Sequence, residues 1–136
     1  MKRLLISFLV LITFPCASFG EWLIAQETDN FALYLDTDKM QVKGDIAYIW
    51  WLVNFNEPQD NEYLSGLNYS KHDCKKDRTS HLQFSSHKQH DAKVHLHTYT
   101  IDNPKWQYVQ PDSTGYYVHK LACHFTGIKI WDIPGQ

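Results

Sequence analysis

Four histidines lie within eleven positions of a chain that has eight histidines in 136 residues. His87, His90, His95 and His97 offer imidazole nitrogens, which are ligands for Zn²⁺ or Cu²⁺. Because side chains alternate along a strand, His95 and His97 would share one face, with His87 or His90 opposite them across a hairpin. No established metal-site spacing is matched, and exposed strand histidines need no ligand role. The cluster therefore indicates either a metal site or a titratable surface.

The densest group of basic side chains surrounds the second cysteine of the chain. Its members are Lys71, Lys75, Lys76 and Arg78. Asp73 and Asp77 are interleaved with them, so the pattern is typical of a solvated strand and turn as well as of a partner contact. No Lys or Arg lies between Lys43 and Lys71, which makes the stretch weakly basic for electrostatic docking.

The first twenty residues have the pattern of a secretory signal peptide. Lys2 and Arg3 precede an apolar run over residues 4–14, and small residues follow up to Gly20. The run is shorter than the ~20 residues needed to span a bilayer. Phe14 and Pro15 stand where a lipoprotein signal needs a small residue, which disfavours lipid anchoring at Cys16. We expect residues 1–20 to be removed and the mature chain to begin near residue 21.

Without the leader, 11 basic and 15 acidic residues remain, a net charge near −4. This charge excludes the strongly basic field that drives nucleic-acid binding. Cys74 and Cys123 then remain as the two cysteines of an exported chain, which predicts one disulfide. Closing a loop of about fifty residues would contribute about 4 kcal/mol to stability.

No motif in the sequence supports a catalytic function. The chain has no nucleophile elbow of the G-x-S-x-G type, no H-E-x-x-H pair and no glycine-rich phosphate loop. Both mature cysteines are assigned to the disulfide, which leaves no free thiolate nucleophile. We therefore expect neither an enzyme nor a cofactor.

The elements predicted from periodicity are six strands followed by one helix. The strands fall at residues 21–28, 31–37, 46–55, 63–75, 78–87 and 93–101, with a loop at 56–61. Residues 46–55 are apolar on both alternating faces, which predicts a central strand with Trp50 or Trp51 in the core. Length and 43% apolar composition fit a single domain.

The helix is predicted to begin after Pro111, with Asp112 or Ser113 as its cap. Its apolar side chains recur at helical spacing at Tyr117, Val118, Leu121, Ala122 and Phe125. Cys123 points away from this stripe on an ideal helix, so either the helix frays before it or the disulfide holds the helix from its side.

Two tryptophans flank this helix. Trp106 precedes it and is expected to pack beneath it. Trp131 follows it in the tail at residues 127–136, where Ile128 and Ile130 also lie; this tail would form an extra strand or an apolar arm that pairs with another chain.

An ordered set of residues resembles the surface-adhesin protein E family of Gram-negative bacteria over residues 22–123. The set comprises Tyr34-Leu35-Asp36, Gly44-Asp45, Trp50, Ser65, Cys74, Arg78, Trp106, Pro111-Asp112-Ser113 and Cys123. The resemblance implies an α+β fold: a bent antiparallel sheet of about six strands with one C-terminal helix on its concave face, tied by the disulfide. The domain would span residues 21–126.

The resemblance also implies a function, which is adhesion to host matrix or serum proteins such as vitronectin and laminin. In that family, adhesion is attributed to a strand region around the first cysteine of the mature chain. The region corresponds to residues 63–78 here. The candidate partner-binding residues are Tyr63, Tyr69, Lys71, Lys75, Lys76 and Arg78. We expect an exported binding protein in the periplasm, on the outer surface or secreted, without a membrane span, and exposed sheet edges allow a homodimer.

Two other functions stay open at this stage. One is a periplasmic protein that binds a small ligand or a metal through the histidine-rich face. The other is an enzyme inhibitor that inserts the loop at residues 56–61 into an active site.

Overall fold

The computed structural model describes residues 22–127, which form one antiparallel sheet followed by a helix. The strands are β1 Trp22–Glu27, β2 Phe31–Asp36, β3 Gln41–Lys43, β4 Ile46–Gln59, β5 Tyr63–Asp73, β6 Arg78–Gln89, β7 Lys93–Thr100 and β8 Gln107–Tyr108, and the helix is α1 Thr114–Phe125. The main strands are ordered β1-β2-β4-β5-β6-β7, with β3 paired to β4 and β8 to β6. The predicted leader and the tail residues 128–136 lie outside the described residues.

The two faces of the sheet differ in what covers them. On β4, Ala47, Ile49 and Trp51 alternate onto the face that α1 covers, and they belong to the buried core with Val118 and Ala122 of the helix. We call this the helix face and the other side the open face. The open face carries the other set of β4 side chains, which explains why the strand reads as apolar at successive positions.

Helix α1 begins where the sequence predicts. Ser113 is the N-cap, and its hydroxyl accepts a hydrogen bond from the Tyr116 N–H at 3.2 Å. The helix continues through Cys123, which is fully buried and bonded to Cys74. The disulfide therefore holds the helix from its side, and the helix does not fray before it.

The buried side of α1 differs from the expected stripe. Its buried residues are Val118, His119, Ala122 and Cys123. Phe125, expected inside, is 49% exposed. Cys123, bonded to Cys74, and the polar His119 thus face the sheet, and the last aromatic side chain does not.

The predicted loop at residues 56–61 is mostly strand. β4 continues to Gln59, and the reversal occupies residues 60–62, with Asp60 and Asn61 at positive φ as in a tight hairpin turn. The β4–β5 register shifts between Asn54 and Gln59, and Pro58, which has no N–H to donate, lies within that irregularity. The polar composition of this strand end made it look like a loop. The short strands β3 and β8 were also not predicted.

Candidate functional site

The turn between β5 and β6 is held in one backbone conformation. One carboxylate oxygen of Asp73 accepts the N–H groups of Lys75 and Lys76 at 3.2 and 3.1 Å, and the other accepts the Arg78 Nε–H at 3.1 Å. Asp77 takes a positive φ of 48°, and the disulfide anchors the start of the turn. The two lysines are exposed, so the turn presents them on a fixed backbone.

The lysines of this turn remain available for a partner. Lys75 Nζ lies 3.4 Å from an Asp45 carboxylate oxygen, but both side chains are largely exposed, and such surface pairs contribute little. No ion pair among residues 22–127 involves Lys76 or Lys71.

Trp106 lies on the open face and has two cations over its ring. Lys71 Nζ is 4.6 Å from the centroid of its ring, and the Arg78 guanidinium carbon is 4.7 Å from it. Lys71 alternates with His72, whose ring contacts His119 of the helix, so Lys71 and Trp106 lie on the opposite side of the sheet from α1. The prediction that Trp106 packs beneath the helix is wrong. After β7 the chain continues along the edge of β6, where β8 pairs with Arg78 and Thr79, and the Trp106 ring lies against Lys71 and Arg78 on the open face.

A row of aromatic side chains continues from this point across the open face. Trp50 and Tyr69 are register partners on β4 and β5, and their rings stack at 4.6 Å between centroids. Tyr48 lies 6.4 Å from Tyr69 and carries Lys43 above its ring at 5.1 Å. Burial, and next the neighbouring Tyr48, raise the pKa of Tyr69, so its hydroxyl stays neutral.

The structure divides the predicted partner-binding residues into two places. Five of them form what we call the basic surface, together with Trp106: Tyr69, Lys71, Lys75, Lys76 and Arg78. Tyr63 is about 26 Å from Lys71 along β5, and its ring contacts Phe55 and Phe84 instead. Local sequence patterns did not predict the contacts of Trp106 or the row of aromatic residues, because those contacts depend on strand register.

The four clustered histidines do not converge on one point. His87 and His95 are register partners with ring centroids 5.5 Å apart. His90 Nε2 lies 2.6 Å from the carbonyl oxygen of Phe55, and His97 Nε2 lies 3.2 Å from a Glu62 carboxylate oxygen.

Burial, followed by the charge of His95, lowers the pKa of His87. Between residues 22 and 127 no group of three or more His, Cys, Asp or Glu side chains is arranged to hold a metal ion. The structure brings His87 and His95 into contact, but not all four histidines.

Comparisons with known proteins agree with the fold. The family model described as surface-adhesin protein E matches residues 22–124. A solved structure of Haemophilus influenzae protein E matches with a TM-score of 0.56 at 14% identity, covering 78% of this chain and 85% of that one. A second crystal form of the same protein gives 0.53 at 13% identity, covering 74% and 91%. Protein E from non-typeable Haemophilus influenzae gives 0.53 at 14% identity, covering 74% and 75%.

No curated protein sequence matches the chain significantly. Within the described part of the chain, the helix is too short and too polar to cross a membrane. The identities to the solved structures are low, so those likenesses establish the shared fold and nothing finer.

Proposed function

Because the chain belongs to the surface-adhesin protein E family, we propose that it is an exported, non-enzymatic protein that binds a host matrix or serum protein. Vitronectin and laminin are the first candidates, and the basic surface is the contact. The protein contributes shape and charge to this contact and performs no reaction.

The arrangement around Trp106 is the observation that supports this proposal most. Lys71 and Arg78 are both held against its ring, so their side chains lose little further freedom when a partner binds. Tryptophan, tyrosine and arginine are the residues that most often dominate the binding energy of protein interfaces. Trp106 and Arg78 are in contact beside a turn with a fixed backbone, and Tyr69 lies on the same face of the sheet.

The charge of the basic surface points to an acidic partner segment. Lys71 and Lys76 have no ion pair within residues 22–127, and the Lys75 pair is exposed. In a mature chain of net charge near −4, these cations form a local exception. Exposed charges of this kind raise association rates, and added salt screens their effect.

Solid-phase binding of the secreted chain to vitronectin and laminin tests the proposal, with serum albumin as the blank. We expect saturable binding that weakens between low and physiological salt. Charge reversal by Lys75→Glu with Lys76→Glu should weaken it about tenfold or more. The matched control is Lys88→Glu with Lys93→Glu, two exposed lysines at the β6–β7 hairpin, which changes net charge by the same amount.

Equal losses from both double variants would mean that net charge, and not the basic surface, governs binding. Absence of binding to either matrix protein would remove both as partners. Protease accessibility on intact cells tests the location separately: an adhesin must be cleaved without disrupting the outer membrane.

A further inference from the structure

His87 and His95 lie opposite each other across the β6–β7 hairpin. They are register partners, and their ring centroids are 5.5 Å apart at an interplanar angle of 71°. His97 pairs with Ser86 instead. Because neighbouring residues of β6 point to opposite faces of the sheet, His97 lies on the other face from His95. The expectation that His95 and His97 share a face is therefore wrong, and strand register forms the pair of His87 with His95.

The spacing of this pair matches the spacing that a single metal ion requires. Two imidazoles bound to the same Zn²⁺ through bonds of about 2.0–2.1 Å at a tetrahedral angle have ring centroids about 5 Å apart. The observed 5.5 Å lies close to this value. His95 is exposed, so its side chain can rotate to adjust the approach without disturbing the core.

Each of the two rings has a nitrogen without a hydrogen-bond partner. His87 Nε2 lies 2.9 Å from the Ser85 hydroxyl oxygen, and His95 Nε2 lies 2.7 Å from the Thr98 hydroxyl oxygen. His87 is only 7% exposed, and its buried Nδ1 has no partner within residues 22–127. His95 Nδ1 forms no hydrogen bond in the same part of the chain. A buried nitrogen without a partner costs free energy that a ligand recovers.

The hydroxyls of Ser85 and Thr98 supply what metal-binding histidines usually have behind them. Such a histidine donates its second ring N–H to an oxygen, which fixes the tautomer and leaves the lone pair of the other nitrogen for the metal. When both Nε2–H groups donate to these hydroxyls, both Nδ1 atoms carry lone pairs. Burial, followed by the charge of His95, lowers the pKa of His87, so this ring is neutral at pH 7 and need not lose a proton to bind.

We propose that His87 and His95 bind one divalent late transition-metal ion through their Nδ1 atoms. Zn²⁺ and Cu²⁺ both suit imidazole ligands, and Cu²⁺ should bind more tightly, following the usual order of affinity among these metals. Mg²⁺ and Ca²⁺ prefer oxygen ligands and should not bind. Two protein ligands leave the other coordination positions to water, so the ion is exchangeable and the fold does not depend on it. The proposal does not rest on the proposed function.

Calorimetric titration of the secreted chain with Cu²⁺ and with Zn²⁺ tests the proposal. We expect saturable binding of one ion per chain, tighter for Cu²⁺ than for Zn²⁺, and no binding of Ca²⁺. Long-range ¹H–¹⁵N spectra of the imidazole rings identify the ligand atoms. Zn²⁺ should shift the Nδ1 signals of His87 and His95 far more than their Nε2 signals.

The variant His95→Gln assigns the site to this pair. It removes one ligand at an exposed position and should abolish saturable Zn²⁺ binding. The matched controls His90→Gln and His97→Gln remove histidines of the same sequence cluster that do not contact the pair, and they should leave the affinity unchanged. Thr98→Val removes the hydroxyl behind His95 and keeps a β-branched side chain in the strand. It should weaken binding about tenfold, the usual cost of losing such an outer contact.

The absence of saturable binding, or binding that survives in His95→Gln, would overturn the proposal. An equal loss in either control variant would mean that the ion binds elsewhere among the histidines. Larger shifts of the Nε2 signals, or full affinity in Thr98→Val, would contradict the assigned ligand atoms. Each result is independent of the matrix-protein assay, because the pair lies about 30 Å along β6 from Arg78 of the basic surface.

Discussion

The Nδ1 atoms of His72 and His119 lie 3.2 Å apart in the core, joining β5 to helix α1. The Trp51 Nε1–H donates to the Ser70 hydroxyl at 3.0 Å, and that oxygen lies 2.8 Å from His72 Nε2. At the other end, His119 Nε2 lies 3.4 Å from an Asp77 carboxylate oxygen. Because indole N–H only donates and carboxylate only accepts, all contacts are satisfied when Ser70 donates to His72, His72 to His119, and His119 to Asp77.

This series of hydrogen bonds requires both His72 and His119 to be neutral. A proton on His119 Nδ1 would face the N–H of His72. Burial, then the charges of His119 and His81, lower the pKa of His72 to about 3. Burial also lowers the pKa of His119, although the hydrogen bond and charge of Asp77 and the charge of Asp73 act in the opposite direction.

Acid should therefore destabilise the fold. A histidine whose pKa is lower in the folded protein takes up a proton in the unfolded chain first. Its contribution to the free energy of unfolding is complete above the pKa of the unfolded chain, about 6.5, and falls by about 1.4 kcal/mol per pH unit as the pH drops toward 3. Urea unfolding midpoints between pH 7.5 and 4 measure this. Asp77→Asn should steepen the loss, because it removes the carboxylate that raises the pKa of His119. Replacement of the exposed His124 by Asn should leave the slope unchanged, and a flat profile would contradict the assignment.

The disulfide between Cys74 and Cys123 closes a loop with a sequence separation of 49. Replacing both cysteines by alanine should lower the free energy of unfolding by about 4 kcal/mol, because the unfolded chain regains the entropy of the open loop. Urea unfolding of the oxidised protein and of the double variant gives the difference. A difference below about 1 kcal/mol would show that the packing of α1 holds the helix without the bond.

Gly66→Ala should destabilise the protein by about 1–3 kcal/mol, the usual range for overpacking. The added methyl would lie 2.7 Å from the Phe84 ring, which Tyr63 and Tyr99 hold on either side. Gly115→Ala is the matched control, because its nearest neighbour is 3.8 Å away and alanine favours helix. Denaturant unfolding should show opposite signs for the two substitutions, and equal effects would argue against the clash.

Val94→Gly should stabilise the protein by about 1 kcal/mol. Val94 has a φ of 58° and is 51% exposed, and a β-branched residue in this conformation is strained. Glycine removes the strain at a smaller cost in chain entropy. Val42→Gly, at an exposed position in β3, should instead lower the thermal unfolding temperature. A fall in both variants would mean that the Val94 side chain makes contacts that outweigh its strain.

Trp106→Ala should weaken matrix-protein binding about tenfold or more, the loss expected at an interface hot spot. The change removes the ring that both Lys71 and Arg78 lie against, although Arg78 keeps its hydrogen bond to Asp73. Solid-phase binding measures the loss, with Trp22→Ala at the opposite edge of the sheet as the control. Circular dichroism should show both variants folded, and equal binding losses would exclude a specific role for Trp106.

Local sequence patterns were sufficient for most of the fold. The run at residues 46–55, apolar on both faces, predicted the central strand. Pro111 followed by Asp112 or Ser113 as the cap predicted the helix start, and Ser113 is the cap. The two mature cysteines predicted the bond between Cys74 and Cys123. The strand and the helix start follow from patterns within a few consecutive residues, and the disulfide follows from the number of cysteines. None of these features depends on which strands are neighbours.

The candidate site was predicted only in part. The family resemblance grouped Tyr63 with Tyr69 because both fall in the matching region at residues 63–78, but the strand extends about 26 Å from Tyr63 to Lys71. The sequence could not place Trp106 against Lys71 and Arg78, because the path of the chain after β7 follows no local pattern. The sequence by itself determined the elements, the disulfide and the basic residues near Cys74. Only the tertiary structure decided which side chains meet, because strand register and the rotation of α1 arise from packing between distant segments.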